Sequence, residues 1–137
     1  MYKTVLFPID QSRESREASG TVAEIVKMFE SKLVLLSVVE SPDKEPETVA
    51  AGIMASAEAI AQLLADAKAL FESKGIEAEI IEREGNPAFV ICDVADELEA
   101  DLIIMGSRGL GLTNTGATES VANRVINLAP CPVMIVP

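Results

Sequence analysis

The sequence predicts an α/β domain: an open, doubly wound sheet of five parallel strands with about four helices. Three observations predict it. Short apolar runs alternate with amphipathic segments along the whole chain, in the order βαβαβαβαβ. The apolar runs are continuous rather than alternating, as in Leu33-Val34-Leu35-Leu36 and Leu102-Ile103-Ile104-Met105, the pattern of strands covered by helices on both faces. The second run breaks into Gly106-Ser107-Arg108-Gly109-Leu110-Gly111, and a buried strand that ends in glycines can present backbone N–H groups to an anion.

Thr4 to Ile9 reads as the first strand, ending at Asp10. Ser12 then offers an N-cap for a helix of about 17 residues, closing near Phe29, with Val22, Ile25, Val26 and Phe29 at helical spacing. Gly20 weakens that helix by about 1 kcal/mol relative to alanine and suggests a close packing contact. Lys32 to Val39 is the second strand, followed by a polar loop, Glu40 to Glu47, rich in proline and acid. The next helix is expected from Thr48 to Lys74, stopping at Gly75. Its first half, Val49 to Ala61, carries only Glu58 as a charge and calls for cover from sheet, loop or partner.

Ala78 to Arg83 is the third strand. Asn86 and Pro87 open a helix as N-cap and first helical residue, with Phe89, Val90, Cys92, Val94, Ala95 and Leu98 as its apolar positions. Leu102 to Met105 is the fourth strand and Val121 to Leu128 the last helix. Val133 to Val136, bracketed by Pro132 and Pro137, suits a strand at a sheet edge.

The 137 residues fit one domain, able to bury roughly two-thirds of its unfolded surface. Apolar residues make up 49% and aromatics only 4%, so the core is aliphatic. A net charge of −11 argues against nucleic acid or an anionic membrane surface as partner. There is no histidine, which removes the usual general base, the commonest zinc ligand and every Ser-His or Cys-His dyad. Cys92 and Cys131 show no CxxC or metal spacing, and this usage together with an N-terminus unlike a signal peptide suits a cytoplasmic protein. Cys92 is expected to be a buried thiol on an apolar helix face.

In such sheets a ligand sits beyond the carboxyl ends of the strands, where the strand order reverses. Asp10, Val38-Val39 and Gly106 to Gly109 occupy those ends. Asp10 can accept hydrogen bonds from a sugar or adenine, or serve locally as a cap. No P-loop lysine with a following Ser/Thr is present, and no GxGxxG follows the first strand.

Val5-Leu6-Phe7-Pro8-Ile9-Asp10-Gln11-Ser12, Leu35-Leu36-Ser37-Val38-Val39, Asp101 to Gly109 and Ala129-Pro130-Cys131-Pro132-Val133, in this order, resemble the universal stress protein family. The resemblance covers residues 1–137 as one universal stress protein domain and implies the adenine nucleotide alpha hydrolase-like fold. It also implies a homodimer joined through the last strand, Val133 to Val136, and a role in stress resistance. The lack of histidine, P-loop lysine and paired carboxylates at defined spacing points to a non-catalytic protein with at most slow ATP hydrolysis. One branch of the family binds ATP or AMP through Gly-x2-Gly-x9-Gly-Ser/Thr. On that motif Gly106, Gly109 and Ser120 match, while the third glycine falls on Glu119. The resemblance further implies Asp10 and Val38 beside adenine, Val121 lending an amide near the phosphates, and Met105 and Arg108 lining the same site.

Glu119 admits three readings: a favourable charge at the start of the last helix, a carboxylate occupying the phosphate site, or a bridge through Mg²⁺ to a phosphate. Gly116 and the polar loop Thr113 to Thr118 offer a shifted anion nest. Two functions remain open: a nucleotide-responsive stress protein, and a structural stress protein whose site stays empty because of Glu119.

Overall fold

The computed structural model describes residues 2–10, 13–39, 57–106 and 121–137. Five parallel strands form one sheet: β1 (Thr4–Pro8), β2 (Lys32–Val39), β3 (Ala78–Glu84), β4 (Leu102–Gly106) and β5 (Val133–Val136). Their spatial order is β3-β2-β1-β4-β5. The described helices are α1 (Arg13–Phe29), α2 (Ala57–Ser73), α3 (Pro87–Leu98) and α4 (Val121–Leu128). Succession runs outward from β1 to β3, then restarts on the other side of β1 with β4 and β5. Right-handed crossovers therefore put α1 and α2 on one face and α3 and α4 on the other.

The strand residues sort between the faces with a period of two. Val5, Phe7, Leu33, Leu35, Leu102 and Ile104 pack beneath α1 and α2. Leu6, Val34, Leu36, Ile103 and Met105 pack beneath α3 and α4. Each such side chain contributes on the order of 1.5–3 kcal/mol by leaving water. In α1, Ala18, Val22 and Val26 make the buried stripe, and in α2 Ile60, Leu64 and Phe71 do so. Phe71 meets Phe7 edge to face at 6.2 Å. At the opposite end from the candidate site, the Thr4 N–H donates to Asp101 Oδ2 at 2.9 Å and the Asp101 N–H donates to the Thr4 carbonyl at 2.8 Å, which fixes where β4 enters beside β1.

Several boundaries follow the sequence closely, including β2, α4 and β5. Asn86 caps α3, its side chain accepting from the Phe89 N–H at 3.4 Å with Pro87 in the first turn. β1 ends at Pro8 rather than Ile9, and the Ile9 carbonyl accepts the Ser37 hydroxyl. The expected start of the second helix at Thr48 lies outside the described residues. Phe89 is not a core position: α3 turns Ala88, Ile91, Cys92, Val94 and Ala95 inward and leaves Phe89 53% exposed. Gly20 marks no close contact, since a Cβ placed there meets nothing within 4 Å. Among the described residues, no helix is long and apolar enough to cross a membrane.

Candidate functional site

The strand order reverses between β1 and β4, which opens a crevice at their carboxyl ends. Asp10 follows the exit of β1, Val38 lies near the exit of β2, and Met105 and Gly106 end β4. Each crossover helix runs back against its strands, so the N-termini of α1 and α4, the latter beginning at Val121, lie at this same end of the sheet. Val38, Met105 and Val121 share one apolar cluster on the α3/α4 side. Asp10 instead borders, with Ser15 and Ser19, a cavity of about 290 Å³ between α1 and α2 floored by Phe7, Ile9 and Phe71. Arg108, Gly109 and Ser120 lie outside the described residues, as do Gly111, Gly116 and Glu119.

Hydrogen bonds hold the exits of β1 and β2 in a definite arrangement. The Ile9 N–H donates to the Leu36 carbonyl at 2.8 Å. The Ser37 hydroxyl donates to the Ile9 carbonyl at 3.1 Å, and the Asp10 N–H donates to Ser15 Oγ at 3.2 Å. On the far side of β2 the Gly85 N–H donates to the Val39 carbonyl at 2.9 Å. Gly85 serves there because its φ of +142° is open to glycine and an added Cβ would sit 3.0 Å from Val90 Cγ2.

Residue parity then fixes the direction of the Val38 peptide groups. In a parallel ladder alternate residues turn both N–H and C=O to the same neighbouring strand. Leu36 faces β1 and Val39 faces β3, so Val38 faces the β1 side. The last β1–β2 pair is Pro8↔Leu36. Val38 therefore directs a donor and an acceptor, side by side, into the space beyond the last rung. The sequence places Val38 at the exit of its strand, and the resemblance sets it beside adenine, but Ser15, Ser37 and Gly85 were missed. The available signal for Ser37 was a lone hydroxyl inside an apolar strand, which proves 2% exposed.

Among the described residues, no three His, Cys, Asp or Glu side chains are grouped to hold a metal ion. The crevice residues can thus hydrogen-bond a flat heterocycle and a sugar along β1 and β2, and offer backbone amides to an anion at the start of α4.

The model of the Universal stress protein family matches residues 1–137. The chain is 57% identical over 137 residues to universal stress protein Sll1654 of Synechocystis, covering 100% of this chain and 87% of the relative. Universal stress protein UspA from Lactobacillus plantarum shares the fold with a TM-score of 0.82 at 23% identity, over 99% of this chain and 98% of that one. A universal stress protein in complex with cAMP superposes with a TM-score of 0.80 at 25% identity, over 99% of this chain and 97% of that one. A match to the family along the full sequence, with a relative this similar and the same sheet in solved structures, leaves one conclusion: the chain belongs to the universal stress protein family.

Proposed function

We propose that this chain is a stress-response protein that binds an adenine nucleotide, AMP or ATP, as a regulatory ligand rather than a substrate, and that it acts as a homodimer paired through β5. The orientation of the Val38 peptide carries the nucleotide reading. Its carbonyl can accept from the adenine N6 amino group while its N–H donates to N1. Guanine presents the opposite pattern, an acceptor at C6 and a donor at N1, and is rejected. The Asp10 carboxylate accepts from ribose hydroxyls, and Met105 gives the base an apolar neighbour. Gly106 and Gly109 let backbone approach closely, and Arg108, Ser120 and the Val121 amide serve the phosphates. The cAMP-bound relative supports an adenine nucleotide as the ligand class. The sequence has neither a histidine nor a P-loop lysine, which favours a regulatory role over rapid hydrolysis.

Glu119 opposes a polyphosphate by on the order of 1–4 kcal/mol at 4 Å, depending on local screening. AMP is accordingly the favoured ligand, and ATP gains when the carboxylate is removed or when Mg²⁺ bridges it. Calorimetric titration of the wild type and Glu119→Gly with AMP, ATP and GMP tests the reading. AMP binds the wild type, GMP binds about tenfold or more weakly, and Glu119→Gly gains about tenfold in ATP affinity. Absence of AMP binding, with no 260-nm-absorbing ligand released from the purified protein on denaturation, overturns nucleotide binding and leaves the purely structural role. Equal ATP affinity in both proteins removes Glu119 from the site.

A further inference from the structure

We infer that Ser37 is a positioning residue that ends the β1–β2 ladder one rung early and so keeps the Val38 peptide available to a ligand. The ligand part of this inference rests on the adenine-binding reading above; the ladder part stands on geometry alone.

The next rung of the ladder would join the Val38 N–H to the Ile9 carbonyl. Every other condition for that rung is met. The Ile9 N–H already donates to Leu36, so Ile9 is in register. Val38 faces the β1 side by parity, and β2 itself continues to Val39 in its pairing with β3. Yet β1 stops at Pro8. The Ile9 carbonyl instead accepts the hydroxyl of Ser37, the residue just before Val38, at 3.1 Å.

This exchange solves two problems together. A carbonyl at this depth requires a partner, and the only natural backbone candidate is the donor that a base would need. A side-chain hydroxyl on the same strand satisfies the carbonyl and leaves the backbone donor facing the crevice. Ser37 lies on the opposite face of β2 from Val38, with Leu33 and Leu35 as its same-face neighbours, so its side chain does not itself enter the space beyond Val38. The Asp10 N–H is taken up by Ser15 Oγ in the first turn of α1, so the next backbone donor after Ile9 is already engaged. Ser37 thus acts through Ile9 and Val38, and an aliphatic residue in its place would let β1 and β2 zip one rung further.

Amide hydrogen exchange of apo protein, with AMP titration of wild type, Ser37→Ala and Ser37→Thr, tests this directly. In Ser37→Ala the Val38 amide gains a carbonyl partner, and its exchange slows by about tenfold or more relative to wild type. AMP affinity falls by about tenfold, the worth of one hydrogen bond withheld from the base. Ser37→Thr, which keeps the hydroxyl on a strand-compatible side chain, restores both quantities. Unchanged Val38 exchange in Ser37→Ala overturns the inference whatever the affinity does. Slowed exchange with unchanged AMP affinity overturns the link to the ligand. A wild type that binds no adenine nucleotide sinks the proposed function, and the exchange comparison still decides the ladder. If Ser37→Ala does not fold, Ser37→Cys, a weaker donor, replaces it, with intermediate slowing expected and no slowing counting against the inference.

Discussion

Gly20 sits mid-helix in α1 on an exposed position, and a methyl group there meets no atom within 4 Å. Glycine costs a helix interior because it has more backbone freedom to lose, so Gly20→Ala stabilises the protein by about 0.5–1 kcal/mol. Denaturant unfolding of the two proteins checks this, and a loss of stability would revive the close-contact reading of the sequence. The two thiols give a pH dependence at the same scale. Burial raises the Cys92 thiol above its ordinary value of 9.0, with Asp93 adding to the effect. Burial likewise raises Cys131, helped by Asp101 and by Cys92. The folded state then holds thiol protons that the unfolded chain has released, so this contribution is complete below about pH 9 and is lost as pH rises through the folded values. Stability measured from pH 8 to 10.5 should therefore fall less steeply in Cys92→Ala/Cys131→Ala than in the wild type. Identical slopes would count against the burial argument.

Among the elements, the two sheet edges differ in chemistry. β3 carries Glu79, Glu82, Arg83 and Glu84, all exposed, the charged finish that discourages strand addition. β5 carries Val133, Met134, Ile135 and Val136, each half-buried within the single chain. Met134 and Val136 lean on the α1/α2 cluster while Val133 leans on the other, so β5 is anchored inside and bare outside. Met134→Lys or Ile135→Lys should yield monomers by sedimentation; a dimer that persists in both refutes pairing through β5. The β5 edge was legible in the sequence because a short strand bracketed by prolines leaves few alternatives, whereas the edge place of β3 emerges only from the strand order. α3 was legible for a similar reason, since Asn86-Pro87 is a strong start. Phe89 was not, because apolar character alone does not say which side of a short helix meets the sheet.

At the scale of the whole molecule, the alternation of elements revealed the sheet, and the family resemblance supplied the residues proposed for the carboxyl ends of its strands. The sequence could not supply the parity of the Val38 peptide. That depends on which residue of β2 pairs with which residue of β1, and a shift of one position would turn the same groups towards β3. Ser37 was hidden for the same reason: its hydroxyl has meaning only beside the carbonyl of Ile9, 28 positions away in the chain. Glu119, by contrast, was visible as a departure from a motif, because charge is read without coordinates.

The contrast between the edges also limits growth. A parallel sheet could lengthen head to tail, β5 of one copy beside β3 of the next, and such a contact does not close on itself. Four exposed charged side chains on β3 bar that route. The proposed self-association through β5 about a two-fold axis uses both bare edges and leaves the charge-rich β3 edges outside. The same glutamates that make the chain acidic thus act as a stop signal for polymerisation, so that the proposed pairing ends at two copies and not at a fibre.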